Sequence, residues 1–348
     1  DIALGDALNP PWKDGETLVE PCLPLPSQTS TLCKMELPSL THWLTNASNS
    51  LSENSFSNSL KNKSHSPIII EANQAWWHLN LKELIKGKDL LLLLIRRDFV
   101  TSYKQTILGP VWIVLQSLMG SAVFTVVFGQ IAGLSTDGHP TFLFYLCGTL
   151  AWQYFGTVFG QGSNSLQSNL ALFSKVYFHR MIPPIGQAIS SLMTFIIQFL
   201  VFFIALGIYR QANPGSAVGP EISVLFLPLL VLQSAILGLG LGFLISAASV
   251  KYRDLGRLAG LFTQFLMYAT PVIYPISEVP LEYRPYLAWN PLTFIVESFR
   301  ELLLGKSTAC TIGYAIPSIA ITLLVFLSGL LIYNKTQRTY VDLSLIHI

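Results

Sequence analysis

The sequence predicts an all-α integral membrane protein with six transmembrane helices. An amphipathic interfacial helix precedes them, and short helices lie on the outer face between spans five and six. Three observations predict this class. Apolar runs recur at lengths that cross a bilayer, about 20 residues each. Only 11% of the 348 residues are charged and 51% are hydrophobic, with a mean hydropathy of +0.51. An ordinary soluble domain is about 25% charged and needs that charge to cover its surface. Lysine and arginine also gather in alternate loops, as membrane insertion requires.

In chain order, residues 1–66 are rich in Pro, Ser and Asn and poor in large apolar side chains. Such a segment buries too little surface to fold alone and is expected to be a disordered or artefactual N-terminal extension. It lacks the basic region and apolar core of a signal peptide. The chain opens at Asp1, and Met35 is its first methionine and a candidate start. Residues 67–342 form the expected transmembrane domain. Within it, residues 76–104 mix apolar with basic side chains behind Trp76 and Trp77, which reads as an interfacial helix broken near Gly87. The six spans fall at about 107–131, 141–163, 185–209, 222–249, 258–276 and 310–334. Helices are the only single segments that satisfy their own backbone in hydrocarbon.

The breaks between spans carry turn and helix-stop residues: Asp137-Gly138-His139-Pro140, Pro183-Pro184, Asn213-Pro214-Gly215 and Asn290-Pro291. Pro271 and Pro275 interrupt the end of the fifth span. In residues 276–305, Phe294, Ile295, Phe299, Leu302 and Leu303 recur at helical spacing, with Glu297, Arg300 and Glu301 expected on the opposite, polar side. The tail, 343–348, ends in Ser344-Leu345-Ile346-His347-Ile348, which resembles translated sequencing adapter.

Of the 21 basic residues, thirteen fall on the side that holds Lys88, Arg96, Lys104, Arg180, Lys251 and Lys335. Four fall on the other side and four in the N-terminal extension. Both termini are therefore expected in the cytoplasm.

The six spans contain no Asp, Glu, Lys, Arg or His. Ion relays and proton coupling place charge at bilayer depth despite a cost of several kcal/mol, roughly. Catalysis needs an acid–base pair or a metal cluster. The emptiness argues against all of these. The six histidines and four cysteines show no ligand spacing, and Cys147 and Cys310 read as small apolar packing residues. Gly305-Lys306-Ser307 lacks the upstream glycine of a phosphate loop, since Arg300 stands there. Energy must then come from a partner docked on the cytoplasmic side. The polar content of the spans is amide: Gln116, Gln130, Gln153, Gln161, Gln187, Gln198, Gln233 and Gln264. Interhelical bonding is the ordinary role of such residues, and lining a path for a polar substrate is the alternative.

Two cytoplasmic segments suit a partner. In residues 163–182, Leu166, Leu170, Phe173 and Tyr177 recur at helical spacing, as in a short amphipathic helix that inserts into a groove; an interfacial loop fits the same pattern. Val250-Lys251-Tyr252-Arg253-Asp254 forms a tight charged turn after span four.

Arg96-Arg97-Asp98-Phe99, Tyr103-Lys104-Gln105-Thr106 and Leu108-Gly109-Pro110-Val111-Trp112 resemble the start of ABC-2 type permease subunits of polysaccharide exporters, which move O-antigen, capsular polysaccharide or teichoic acid. The likeness continues through Phe124–Gly129, Ser174–Phe178, Tyr252-Arg253-Asp254, Ala269–Pro275 and Asn290-Pro291, covering roughly residues 68–342. His179 departs from it, standing where a proline commonly follows the Tyr-Phe pair.

The resemblance implies a subunit of the bacterial inner membrane that pairs with a second copy of itself and with two ATP-binding cassette subunits. It implies no enzyme site and no nucleic acid partner. No cofactor or metal belongs to this chain, since ATP and Mg belong to the partner subunit. A coupling helix maps to about 163–180, so Leu166, Leu170, Phe173, Lys175, Tyr177 and Arg180, with Tyr252, Arg253 and Asp254, are the expected contacts to the ATPase. Outer gate helices map to 276–305, with Pro271, Pro275, Asn290 and Pro291 at their hinges. Aromatic faces cover the apolar faces of sugars and tolerate sliding, so Trp112, Phe124, Trp152, Tyr154, Phe155, Tyr268 and Tyr274 are the candidate glycan path, with core packing or the interfacial belt the alternative for each. The cargo implied is a polysaccharide or lipid-linked glycan, with lipid or drug as the alternative. An integral membrane glycan-modifying enzyme is a further alternative, which the missing acid–base residues oppose.

Overall fold

The computed structural model describes residues 87–104, 109–169, 173, 178–216, 218–220, 222–252, 254–305 and 312–346. All belong to one compact unit, Ala72–Ile348. Among the described residues every regular element is helical. Among the described residues five helices are long and apolar enough to cross a membrane: Val111–Ile131, Thr141–Ser163, Ile182–Ala212, Ser223–Lys251 and Gly313–Gln337.

Helix α1, Lys88–Lys104, begins just past Gly87, where the sequence marks a break. It packs on α5 and buries Leu94 while Leu92 and Leu93 stay exposed. A Cβ at Gly186 would sit 3.4 Å from Leu91 Cδ1, an ordinary contact, so the two helices pack at normal distance there. The segment upstream of Gly87 lies outside the described residues.

Helix α2, Pro110–Phe124, starts on a proline, whose missing N–H is harmless in a first turn. It continues as a π-helical segment, Thr125–Ile131. The hydroxyls of Ser121 and Thr125 donate to the carbonyls four residues back (3.0 and 2.7 Å), a contact that loosens helical turns. A turn with Asp137 (φ 52°) and Gly138 (φ 78°) in the left-handed region reverses the chain.

Helix α3, Thr141–Ser163, forms the centre of the bundle: 78% of its apolar window is buried, against 11% for α2. It packs against α2 and against the helices α5 (Ile182–Ala212), α6 (Leu227–Lys251), α7 (Asp254–Ala269) and α9 (Pro291–Leu304). The short α4, Ser165–Ser168, follows. Helix α5, Ile182–Ala212, carries Pro183 and Pro184 in its first turn.

Helix α6, Leu227–Lys251, follows a 3-10 turn and contains Gly238, Gly240 and Gly242. Alternate residues point to opposite sides, so these glycines serve two interfaces. Added Cβ atoms at Gly238 and Gly242 would meet α3, the second at 2.9 Å from Gly162 Cα. One at Gly240 would meet Phe326 Cα of α10, Ile312–Ile346, at 2.7 Å. Glycine on three facing positions brings backbones together, which is how helices gain contact in a solvent as apolar as they are.

The fifth expected span, 258–276, coincides over most of its length with the 16-residue helix α7, Asp254–Ala269. The residue before a proline is pushed out of the helical region, so Thr270-Pro271 ends it. A 3-10 turn at Ile276–Glu278, α8 at Arg284–Ala288 and α9 at Pro291–Leu304 follow.

One expectation fails in α9. Glu297 and Arg300 do not face away from the bundle; they are 4% and 2% exposed. The helix lies against α3, and Gly148 of α3 leaves the room the guanidinium occupies, a Cβ there falling 2.8 Å from Arg300 Nη2. Helical spacing separates polar from apolar positions but does not show which side a neighbour covers.

Candidate functional site

At the end of the bundle where α3 finishes, serine hydroxyls tie the following loop to its neighbours. Ser165 Oγ lies 3.2 Å from Ser246 Oγ of α6, and the Leu166 N–H donates to that same oxygen at 3.3 Å. Gln167 Nε2 donates to the Ser249 carbonyl at 3.3 Å. From α10, Tyr333 Oη donates to the Arg180 carbonyl at 3.2 Å. The Arg180 guanidinium donates to the Gln337 carbonyl and stands 5.7 Å from the centre of the Phe173 ring.

Leu166 is completely buried, so it anchors the loop to the core instead of presenting a surface. Phe173 and Arg180 remain part-exposed. Leu170, Lys175, Tyr177 and Arg253 lie outside the described residues. Tyr252 is exposed with Lys251 over its ring at 5.3 Å. Asp254 pairs with Arg257 at 3.6 Å on an open surface, where such a contact adds little.

A polar seam runs between α3 and α5. Gln198 Nε2 donates to Gln153 Oε1 at 2.5 Å, and Ser191 Oγ donates to Gln161 Oε1 at 2.9 Å. Gln153, Thr157 and Gln161 are spaced by four, which stacks them on one face of α3. Across the bundle Gln233 Nε2 donates to Ser318 Oγ at 2.8 Å. Interhelical bonding therefore accounts for Gln153, Gln161, Gln198 and Gln233. Beside α1 the seam opens into a cleft of about 290 Å³, to which Gln187 contributes.

The seven candidate path aromatics divide. Trp152, Tyr154 and Phe155 are buried and pack on other rings, Trp152 with Phe155 at 5.4 Å and Tyr154 with Phe195 at 5.3 Å. Phe124 sits edge-on between Phe128 (5.7 Å) and Tyr145 (6.2 Å). Trp112 and Tyr268 are more than half exposed. Tyr274 donates its hydroxyl to the Tyr268 carbonyl at 3.3 Å. Two pairs of the seven are brought together: Trp152 with Phe155 inside the core, and Tyr268 with Tyr274 at the end of α7.

At the opposite end Asn290 does two jobs. Its side chain accepts the Leu292 N–H at 3.1 Å, capping α9. Its amide donates to Thr270 Oγ1 at 3.0 Å and to the Ala269 carbonyl at 3.3 Å, joining the start of α9 to the end of α7. Behind it Arg300 donates Nη1 to the Pro271 carbonyl (2.6 Å) and to Glu297 Oε1 (2.9 Å), and Nη2 to the Val272 carbonyl (2.6 Å). Its guanidinium carbon stands 3.8 Å from the centre of the Phe144 ring. Burial pushes the Glu297 carboxyl above its ordinary range, and Arg300 opposes that push. Arg300 thus holds the interrupted segment after α7 against α3. Sequence spacing signals the i,i+3 pair, but nothing in the sequence links it to Phe144 or Gly148.

The sequence pattern of the ABC-2 type transporter family matches residues 89–304. That is well over half the chain, and the chain belongs to this family. Its members are transmembrane subunits and not the ATPase, and this is a multi-pass membrane protein. Among curated relatives, the O-antigen export system permease protein RfbA of Klebsiella pneumoniae is 24% identical over 73% of this chain and 95% of its own length. RfbA of Myxococcus xanthus is 25% identical over 64% of the chain and 83% of its own length. The polysialic acid transport protein KpsM of Escherichia coli is 22% identical, over 70% and 92% respectively.

Proposed function

We propose that this chain is the membrane permease of an ABC exporter that moves a polysaccharide or lipid-linked glycan outward, powered by ATP hydrolysed in a separate subunit. The observation that carries this is the full-length alignment with O-antigen and capsule permeases, spanning 95% of the first. The interior agrees with it: amides and hydroxyls, not fixed charge, form the polar seam between spans. A neutral, hydroxyl-rich chain slides past such groups without the tight ionic contacts that would stall it.

On this reading α7 and the segment after it complete a sixth crossing, and α8 and α9 form an outer gate hinged at Pro271, Pro275 and Asn290-Pro291. The loop after α3 and the Tyr252–Asp254 turn receive the ATPase. Two copies pair with two ATP-binding subunits in the bacterial cytoplasmic membrane, with both termini inside. Deleting the gene should strip the glycan from the cell surface and leave it accumulated in the cytoplasm. Transport of the glycan by the purified chain down an ion gradient, with no ATPase present, would sink the proposal.

A further inference from the structure

The cleft beside α1 is walled by three helices. Thr157 and Gln161 come from the end of α3, Gln187, Ser190, Ser191 and Thr194 from the start of α5, and Asp98, Phe99 and Thr101 from α1. Its volume, about 290 Å³, holds a group of a few sugar-sized rings at most. We propose that it is a saccharide-binding subsite, which takes an uncharged, polyhydroxylated unit of the exported chain at the membrane face before the chain passes between the spans. The proposal rests on the glycan-export reading and adds a place and a ligand chemistry to it.

The lining selects that chemistry. Hydroxyls and amides both donate and accept, as sugar hydroxyls do. Asp98 adds a carboxylate, which accepts from two neighbouring hydroxyls, and Phe99 adds an aromatic face for ring C–H groups. Among the described residues no Lys or Arg lines the cleft, and Arg97 is turned onto Asp98 Oδ1 at 2.8 Å. A phosphate or carboxylate would therefore meet the Asp98 carboxylate, whose own cation, Arg97, is already committed to it.

A second observation points the same way. Gln187 Oε1 and Ser190 Oγ are shielded from solvent and have no hydrogen-bond partner, although both residues line the cleft. The adjacent pair, Gln161 and Ser191, satisfy each other at 2.9 Å. A buried acceptor left unpaired is costly and is kept where something else meets it. Here the packed helices supply no partner, and a ligand hydroxyl supplies one when these two side chains turn toward the cleft that both residues line.

Two sources carry the same chemistry: a sugar unit of the cargo, or the glycerol headgroup of a bilayer lipid. The test uses the full chain with its ATPase subunit in phosphatidylcholine nanodiscs. The probes are the lipid-linked polymer extracted from the host cells, the same polymer freed of its lipid, and phosphatidylglycerol added to the disc. ATPase stimulation is titrated for wild type, Gln187→Leu and Ser190→Ala. Gln233→Leu serves as control, because it breaks the α6–α10 bond away from the cleft.

Losing one such hydrogen bond should raise the half-stimulating polymer concentration about five- to tenfold. Basal ATPase should hold and the melting temperature should not fall, since neither group has a partner to lose. Gln233→Leu should lower the melting temperature and leave half-stimulation unchanged. Freed polymer should protect the thiol of Thr101→Cys, an exposed position at the cleft, from a maleimide. Unchanged half-stimulation in both cleft variants would overturn the subsite, as would protection by phosphatidylglycerol alone or by the lipid-linked polymer but not the freed one. If polymer fails to stimulate even the wild-type complex and deletion leaves surface glycan intact, the export reading itself fails, which separates the two.

Discussion

Arg300 and Glu297 are the charges that a low-dielectric interior tolerates least, and each survives through its partners. Removing one member of a buried pair leaves the other uncompensated, at a cost of about 3–5 kcal/mol. Arg300→Met should therefore destabilise by that order, because it also strands the Pro271 and Val272 carbonyls. Glu297→Gln should cost less than that, since the amide oxygen still accepts from Arg300 and the Pro271 and Val272 carbonyls keep their donors. The pH dependence has a definite sign. A carboxyl whose folded pKa lies above its ordinary 4.5 binds more protons folded than unfolded, so its contribution to stability falls as pH rises through that window. The melting temperature of wild type minus that of Glu297→Gln should shrink from pH 4.5 upward, and a growing difference would contradict the burial of the carboxyl. Gly148→Ala should act like a mild Arg300 mutation, because the new methyl meets Nη2 at 2.8 Å.

Among the elements, α6 is the one whose sequence and packing agree most tightly. Gly238 and Gly242 accept α3 and Gly240 accepts α10, so each glycine belongs to one interface only. Overpacking a core costs roughly 1–3 kcal/mol, and here the added methyl meets backbone, which cannot rotate away. Gly240→Ala should reach the top of that range, and Gly329→Ala should match it, since its methyl collides with the Gly240 carbonyl. Leu239→Ala shortens a side chain between them and should leave α6–α10 spacing intact. A disulfide-trapping pair across α6 and α10 would report the separation. Asn290→Ala should cost about 1 kcal/mol as a lost cap and should free α9 from α7, visible as faster hydrogen exchange at 269–292.

For the whole molecule, the polar anchors gather at one end and the hinge prolines at the other. Sidedness is open to direct test: a cysteine at Arg284 should react with an impermeant maleimide in intact cells, and one at Lys335 only after permeabilisation. Coupling is tested by Phe173→Asp with Lys175→Glu, changes that spare the buried Leu166. Export should stop while the subunit stays folded and inserted. Normal glycan-stimulated ATPase activity and export would refute the docking role of this loop.

The helices and their breaks were legible in the chain because bilayer crossing is a local property. Length, apolar content and proline position each act within one segment, and hydrocarbon forces every backbone group to be satisfied there. The charge-free spans and the family likeness were readable for the same reason, since both rest on short runs of residues in order. The end of α7 was legible in part, through Pro271. Which side of a helix meets a neighbour is not local. The sequence marked Glu297 and Arg300 as polar, but only the approach of α3 at Gly148 made them buried. It named eight glutamines as alike, yet packing paired Gln153 with Gln198 and left Gln187 facing a cleft. Side-chain chemistry sets what a residue can do, and the geometry of separate helices decides which of those contacts is made.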